Sequence, residues 1–255
     1  MTATASLSIR TPGSTGMATL RGLTVMSPFD VKAVFRAEMD KAVQEEVSKS
    51  GFPVSEWFWA GPRTPEATIE KWYDDGPAMV QAFIDWYEFN PDVEVWTTPD
   101  GLPAIELPLE VMFGDIEIRM YIDLVLMIGS ALVVVDWKTG AKAPVNNRQL
   151  AIYASGLELK YGIRPRYGTF FMCRGLGRGE KPKTFFMRPV ELDRPQYSAA
   201  YLAREFALAE KGIQAGAFVA NPGDGCGRCS VAHACTEAGG DKARELDPYW
   251  PGRQS

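Results

Sequence analysis

The 255-residue chain has one histidine, four cysteines and no long apolar run. A bilayer-spanning helix needs about 20 consecutive apolar residues, so the sequence predicts no such helix. The single histidine, His233, lies among cysteines, which argues against a Ser–His–Asp catalytic triad. A net charge of −5 argues against coating nucleic acid by bulk attraction, although it does not exclude a local basic patch.

Acidic residues are also absent from the first 29 positions, which are rich in Ser, Thr, Gly and Ala. We expect residues 1–27 to be a disordered leader, because they hold only two arginines and no secretory apolar core. The remaining chain is predicted to comprise a helical section at 28–100, a core at 101–220, a cysteine segment at 221–240 and a polar tail at 241–255.

Apolar periodicity predicts the secondary structure. Helical spacing at 27–47 predicts an amphipathic helix, followed by a short helix near 65–74 and another at 77–89 with Pro77 in its first turn. Period-two alternation and turn residues then predict strands at 104–113, 115–128, 131–137, 166–173 and 183–192, with helices at 147–161 and 194–216. The fold class predicted from this order is α/β, a mixed sheet with helices packed on it.

An acid and a base stand two positions apart at the end of an apolar strand, Asp136 and Lys138. Side chains two apart on a strand share a face. If strands 115–128 and 131–137 pair about a turn at 129–130, Asp123 lies nearly opposite Asp136. Two such carboxylates repel each other. A divalent cation that prefers oxygen ligands, Mg²⁺ or Mn²⁺, would remove this repulsion.

Lys138 beside such an ion would orient or deprotonate a water, or stabilise charge on a phosphate. Phosphodiester hydrolysis needs this combination of metal, activated water and cation. The alternative is a surface hairpin with an ordinary salt bridge, in which residues 138–140 form a plain turn.

The following helix places Gln149 and Tyr153 one turn apart on one face. An acid, then D-W-K-T-G, then Q-L-x-x-Y is a distinctive order. Residues 105–153 thereby resemble the RecB-like branch of the PD-(D/E)XK nuclease superfamily, which includes CRISPR-associated and phage recombination exonucleases. The resemblance implies a restriction-endonuclease-like core, with a helical N-terminal section and a C-terminal metal-binding segment around it.

The same resemblance implies roles for individual residues. Asp123 and Asp136 would hold the catalytic Mg²⁺ or Mn²⁺, assisted by the carbonyl of Trp137, and Lys138 would be the catalytic lysine. Gln149 and Tyr153 would position the DNA backbone or the lysine. The family commonly adds a His or Glu ligand from an N-terminal helix, and here the candidates are Glu38, Glu45 and Glu46.

Three cysteines are crowded into ten residues, Cys226, Cys229 and Cys235. This spacing favours a metal site in a reducing compartment, such as a bacterial or phage-infected cytoplasm, over a disulfide scaffold. The C-x₂-C-x₅-C pattern resembles the three-cysteine part of a [4Fe–4S] site in RecB-like nucleases. Cys173 would complete that cluster, or His233 would complete a structural Zn²⁺ site.

The function predicted from these residues is a metal-dependent DNA nuclease, an exonuclease acting in recombination or repair on single-stranded DNA or duplex ends. A recombination or replication protein is the expected protein partner. The first alternative is a nuclease-derived module that binds DNA or protein without cutting. A zinc-stabilised interaction domain that binds no DNA is the second.

Overall fold

The computed structural model describes residues 30–57, 63–176 and 184–217, together with residues 226, 229, 232 and 235. The predicted leader, most of the loop between the last two predicted strands, His233 and the polar tail lie outside these residues. The chain divides into two compact units. The core unit contains residues 78–211, and the terminal unit contains Asp30–Pro77 and Gly212–Ser255. No helix among the described residues is long and apolar enough to cross a bilayer.

The terminal unit begins with helix α1, Val31–Ser50. The Asp30 carboxylate caps it by accepting a hydrogen bond from the Ala33 N–H at 3.0 Å, and Gly51 ends it at φ 72°. Half-buried residues recur at every fourth position, namely Val31, Phe35, Met39, Val43 and Val47. The predicted amphipathic helix is therefore present, although none of its residues is fully buried.

Helix α2, Pro65–Phe89, is one continuous element, so the prediction of separate helices at 65–74 and 77–89 is wrong. Pro77 lies inside it. Proline has no N–H and removes one helical hydrogen bond. Helix-forming residues on both sides supply the remaining bonds, and the helix therefore continues through the proline.

The described residues of the core unit form a seven-stranded mixed sheet. Its strands are β1 Val93–Val95, β2 Ile105–Phe113, β3 Ile116–Ile128, β4 Ala131–Lys138, β5 Tyr167–Leu176, β6 Thr184–Phe186 and β7 Val190–Glu191. The order is β1-β3-β4-β5-β6, with β2 also paired to β3 and β7 to β5. The β4–β5 pair is parallel, and helix α3, Arg148–Tyr161, connects these two strands. The mixed α/β fold class is thus confirmed.

Three further parts of the core unit differ from the sequence-based expectation. The three-residue strand β1 was not predicted, because it is too short to show alternation. The strand expected at 183–192 is two strands, β6 and β7, separated by residues 187–189. Pro189 in that gap cannot donate to a ladder. Helix α4, Ala199–Gln214, begins five residues later than expected, after a single 3₁₀ turn at Pro195–Tyr197.

Apolar side chains form two clusters in the core unit. The α3 cluster includes Val125 and Val134 with the α3 residue Leu150. The α2 cluster includes Val133 and Val135 with the α2 residue Trp86. Neighbouring β4 residues therefore alternate between the clusters, which is the pattern of a strand buried on both faces.

Strand β3 departs from the continuous alternation read from its sequence. Met120 and Ile122 belong to the α3 cluster, whereas Leu124 and Leu126 belong to the α2 cluster. The even-numbered side chains therefore change cluster at Asp123. The change therefore falls at one of the two predicted metal ligands.

Candidate active site

The site lies where strands β3 and β4 separate. Their ladder ends at the pair Leu124–Val135, one step before Asp123 and Asp136 would face each other. At this step the Trp137 N–H donates to the Oδ2 atom of Asp123 at 2.8 Å. The Asp123 carboxylate thus replaces a strand partner as the acceptor for a backbone N–H of β4. This hydrogen bond holds Asp123 against the segment that carries Asp136 and Lys138.

Asp136 is a charged group buried in the sheet. The residue has no exposed surface, and its backbone stays paired with Phe170 of β5. Neither carboxylate oxygen has a hydrogen-bond partner among the described residues. The Nζ atom of Lys138 is 2.5 Å from Oδ2, so the contact is a charge contact without hydrogen-bond alignment.

Burial raises the pKa of Asp136 above its ordinary value, and the nearby charge of Asp123 raises it further. Lys138 opposes this shift without cancelling it. A buried carboxylate without hydrogen bonds is costly to keep ionised, even beside one ammonium group. The ionised form of Asp136 therefore lowers the stability of the fold.

Lys138, Gln149 and Tyr153 form a hydrogen-bonded chain. The Lys138 ammonium donates to the Gln149 Oε1 atom at 2.8 Å, and the Gln149 Nε2 atom donates to the Tyr153 hydroxyl at 2.8 Å. Burial raises the pKa of Tyr153 to about 12, against the opposing effect of the Gln149 hydrogen bond. The neutral phenol accepts from the amide, and this orients the amide oxygen toward Lys138.

Glu106 is a further acid at this site that the sequence analysis did not assign a role. The residue is exposed, but partial burial of its carboxyl, and then the charge of Asp123, raises the pKa of that carboxyl. The charges of Glu106, Asp123 and Asp136 all act on Tyr153 as well. The available sequence signal was an acid on the strand that pairs with β3, but alternation alone does not show which way it points.

The donor set suits a hard divalent cation. Asp123 and Asp136 supply carboxylate oxygens, and such an ion would coordinate the buried Asp136 oxygens, which lack hydrogen bonds among the described residues. Within the described parts of the chain, no three His, Cys, Asp or Glu side chains converge closely enough to form a complete metal site. The carbonyl of Trp137 as a ligand stays a prediction, as do Glu38, Glu45 and Glu46, which are exposed on α1.

Comparison with known proteins places this geometry in a family. The profile of the PD-(D/E)XK nuclease superfamily matches residues 24–236. The chain belongs to this superfamily. It is also similar to two proteins named Gene 69 protein, from Mycobacterium phages D29 and L5. Identity is 36% over 181 residues in D29 and 32% over 200 residues in L5, each match covering 70% of this chain. The matches span 64% and 66% of the two relatives' own lengths.

The cysteines of this PD-(D/E)XK protein lie in both units. Cys173 is buried in β5 within the α2 cluster, and burial raises the pKa of its thiol. Cys226, Cys229 and Cys235 are half-buried in the terminal unit. The Cys229 N–H donates to the Cys226 carbonyl at 3.2 Å, and Ala232 and Cys235 continue with two similar bonds. The three cysteines thus lie on successive tight turns, and an iron–sulfur or zinc site there stays a prediction.

Proposed function

We propose that this superfamily member is a Mg²⁺- or Mn²⁺-dependent deoxyribonuclease. The observation that supports the proposal most is Asp136, a fully buried carboxylate whose oxygens lack hydrogen bonds among the described residues and whose charge contact is with Lys138. Such a group costs folding free energy and would be stabilised by a bound dication. A buried charge of this kind is weak evidence for a role in stability and favours a role in catalysis.

Each residue then has a chemical task. Asp123 and Asp136 hold the ion, which when bound would polarise the scissile phosphate and acidify an attacking water. Lys138 places a positive charge beside the reacting phosphate, where negative charge develops during hydrolysis. Gln149 limits the positions that the Lys138 ammonium can take, and Tyr153 holds the Gln149 amide in the required orientation.

We further propose an exonuclease acting on single-stranded DNA or duplex ends during recombination or repair, with a recombination or replication protein as partner. The support is the resemblance of residues 105–153 to recombination exonucleases and the similarity to the two phage proteins. The test uses end-labelled linear DNA and covalently closed circular DNA, each single- and double-stranded, with Mg²⁺ or Mn²⁺. Degradation of linear DNA with the circles intact is expected. Cleavage of closed circles would contradict the exonuclease mode.

The catalytic assignment is tested with Asp136→Ala and Lys138→Ala beside the unchanged protein. Asp115→Ala is the matched control, because Asp115 is exposed in the β2–β3 turn. We expect the control to cut normally and both site variants to lose cleavage. Equal activity in all four proteins would contradict the assignment.

A second candidate is a nuclease-derived module that binds DNA without cutting it. One observation favours it, namely that no third ligand completes the metal site in the portion of the chain described here. Uncut DNA shifted on a gel with either metal would support this candidate. The absence of any shift would instead favour an interaction domain.

We also propose that the three C-terminal cysteines bind a structural metal group, with Cys173 or His233 as the fourth ligand. Cys173 completes a [4Fe–4S] cluster, and His233 completes a Zn²⁺ site. A brown protein with broad visible absorbance that bleaches in Cys173→Ser supports the cluster. A colourless protein that releases zinc, and loses it in His233→Ala, supports the zinc site. A protein that contains neither metal contradicts both.

A further inference from the structure

Glu106 has a backbone conformation that glutamate rarely adopts. Its φ is 48°, and among the described residues it is the one non-glycine residue with a positive φ. The left-handed region is disfavoured for side chains other than Gly, Asn and Asp. A residue keeps such a disfavoured backbone conformation only when contacts with the surrounding structure enforce it. Residues of this kind are found most often at functional sites.

The register places Glu106 opposite Asp123. Ile105 pairs with Leu124, and Leu107 pairs with Ile122. The residue between these pairs is Glu106 on β2 and Asp123 on β3. Ala104 and Leu107 are both buried in the α3 cluster, although regular alternation would turn residues three apart to opposite faces. The left-handed conformation of Glu106, which lies between them, allows both side chains to lie on the same face of β2. Opposite Glu106, at Asp123, the even-numbered side chains of β3 change from the α3 cluster to the α2 cluster.

A separate observation, the burial of Asp136, favours a cation at this carboxylate cluster. Both oxygens of the fully buried Asp136 are without hydrogen bonds in the described structure. Asp123 accepts a hydrogen bond from the Trp137 N–H next to Asp136, and the register sets Glu106 opposite Asp123. Three carboxylates therefore share this corner, and among the described residues the Lys138 ammonium is in contact with one of them, that of Asp136. A divalent cation balances the two remaining negative charges.

We propose that Glu106 is a positioning carboxylate of the divalent-cation site and holds a water molecule of the ion's hydration shell. Mg²⁺ and Mn²⁺ sites commonly retain several waters. A water-mediated role agrees with the three carboxylates not converging to direct coordination distances. The third acid of the site is then supplied by strand β2. This inference rests on the proposed metal-dependent nuclease function.

The experiment measures Mn²⁺ binding to the full chain by electron paramagnetic resonance and by calorimetry, in the absence of DNA. Glu106→Gln removes the charge and keeps the size. Glu110→Gln is the matched control, because Glu110 lies four residues along the same strand and is 62% exposed in an ion pair with Arg119. We expect Glu106→Gln to weaken Mn²⁺ binding by roughly 10–100-fold, as loss of an outer-shell partner does, and Glu110→Gln to bind like the unchanged protein.

Glu106→Gly separates a role in metal binding from a structural one. Glycine adopts a positive φ without strain, so we expect this variant to melt at a higher temperature without metal and still to bind Mn²⁺ weakly. Equal Mn²⁺ affinity in Glu106→Gln and Glu110→Gln would overturn the inference about Glu106. In that case, DNA cleavage by the unchanged protein would still support the proposed nuclease function. A lower melting temperature in both Glu106 variants would show a structural role and also overturn it. An unchanged protein that neither binds Mn²⁺ nor cuts DNA would reject the proposed function itself.

Discussion

The buried charge of Asp136 should make the protein less stable without metal than a variant that lacks the charge. Asp136→Asn keeps the side-chain size and removes the ionised group whose oxygens lack hydrogen bonds. Leaving such a group unsatisfied costs about 1–3 kcal/mol, and the Lys138 contact at 2.5 Å offsets only part of this because burial still dominates the pKa. We therefore expect metal-free Asp136→Asn to gain about 1–3 kcal/mol, or about 2–12 °C in melting temperature.

The pH dependence follows from the same shift. The folded-state pKa of Asp136 is raised above 3.8, the ordinary value for aspartate, so the folded protein binds more protons than the unfolded chain between these two values. Stability of the metal-free protein contributed by this group should therefore fall as pH rises from about 4 through the raised pKa. Asp136→Asn should lose that part of the dependence, and the exposed control Asp115→Asn should keep it.

Divalent metal should reverse the ranking. An ion that binds only the folded protein adds about 4.1 kcal/mol at a thousandfold excess over its dissociation constant, which exceeds the advantage of about 1–3 kcal/mol expected for metal-free Asp136→Asn. Asp136→Asn itself should gain little from the ion. Thermal melting of both proteins, with divalent cation removed by dialysis and then with Mn²⁺ restored, measures the two effects. The reasoning is refuted if metal-free Asp136→Asn melts below the unchanged protein, or if Mn²⁺ stabilises both equally.

Three further predictions concern single residues. Lys138→Met should lower the cleavage rate by about 10²–10⁴-fold while Mn²⁺ still binds, and loss of Mn²⁺ binding would contradict a role in chemistry alone. Tyr153→Phe removes the acceptor of the Gln149 amide, so we expect kcat to fall by up to roughly tenfold with melting nearly unchanged; an unaltered kcat would show that the amide needs no such support. Gly168→Ala would bring a Cβ within 2.9 Å of Leu192 Cδ1 and 3.1 Å of Leu150 Cβ, costing about 1–3 kcal/mol by denaturant unfolding. Gly140→Ala has no neighbour within 4 Å and should be near neutral.

Local pattern was sufficient for most of the fold and part of the site. Alternation and turn residues located strands β2 to β5. The two-residue turn between β3 and β4 predicted the hairpin that brings Asp123 and Asp136 close to each other. Pro77 shows the limit, because proline disfavours a helix interior and Asp74, Asp75 and Gly76 just before it are poor helix formers, yet α2 continues through it. The two strands β6 and β7, separated by the segment that holds Pro189, pair with different parts of β5, and local pattern did not predict this.

The sequence by itself determined which groups are available and which share a face. The spacing of Asp136 and Lys138 on a strand, and of Gln149 and Tyr153 on a helix, follows from backbone periodicity alone. Only the tertiary structure decided that Asp136 is fully buried with no hydrogen bonds to its oxygens among the described residues, that Trp137 donates to Asp123, and that Glu106 lies opposite Asp123 in a left-handed conformation. These properties depend on where strands β3 and β4 separate, and that separation is set by packing between elements far apart in the chain.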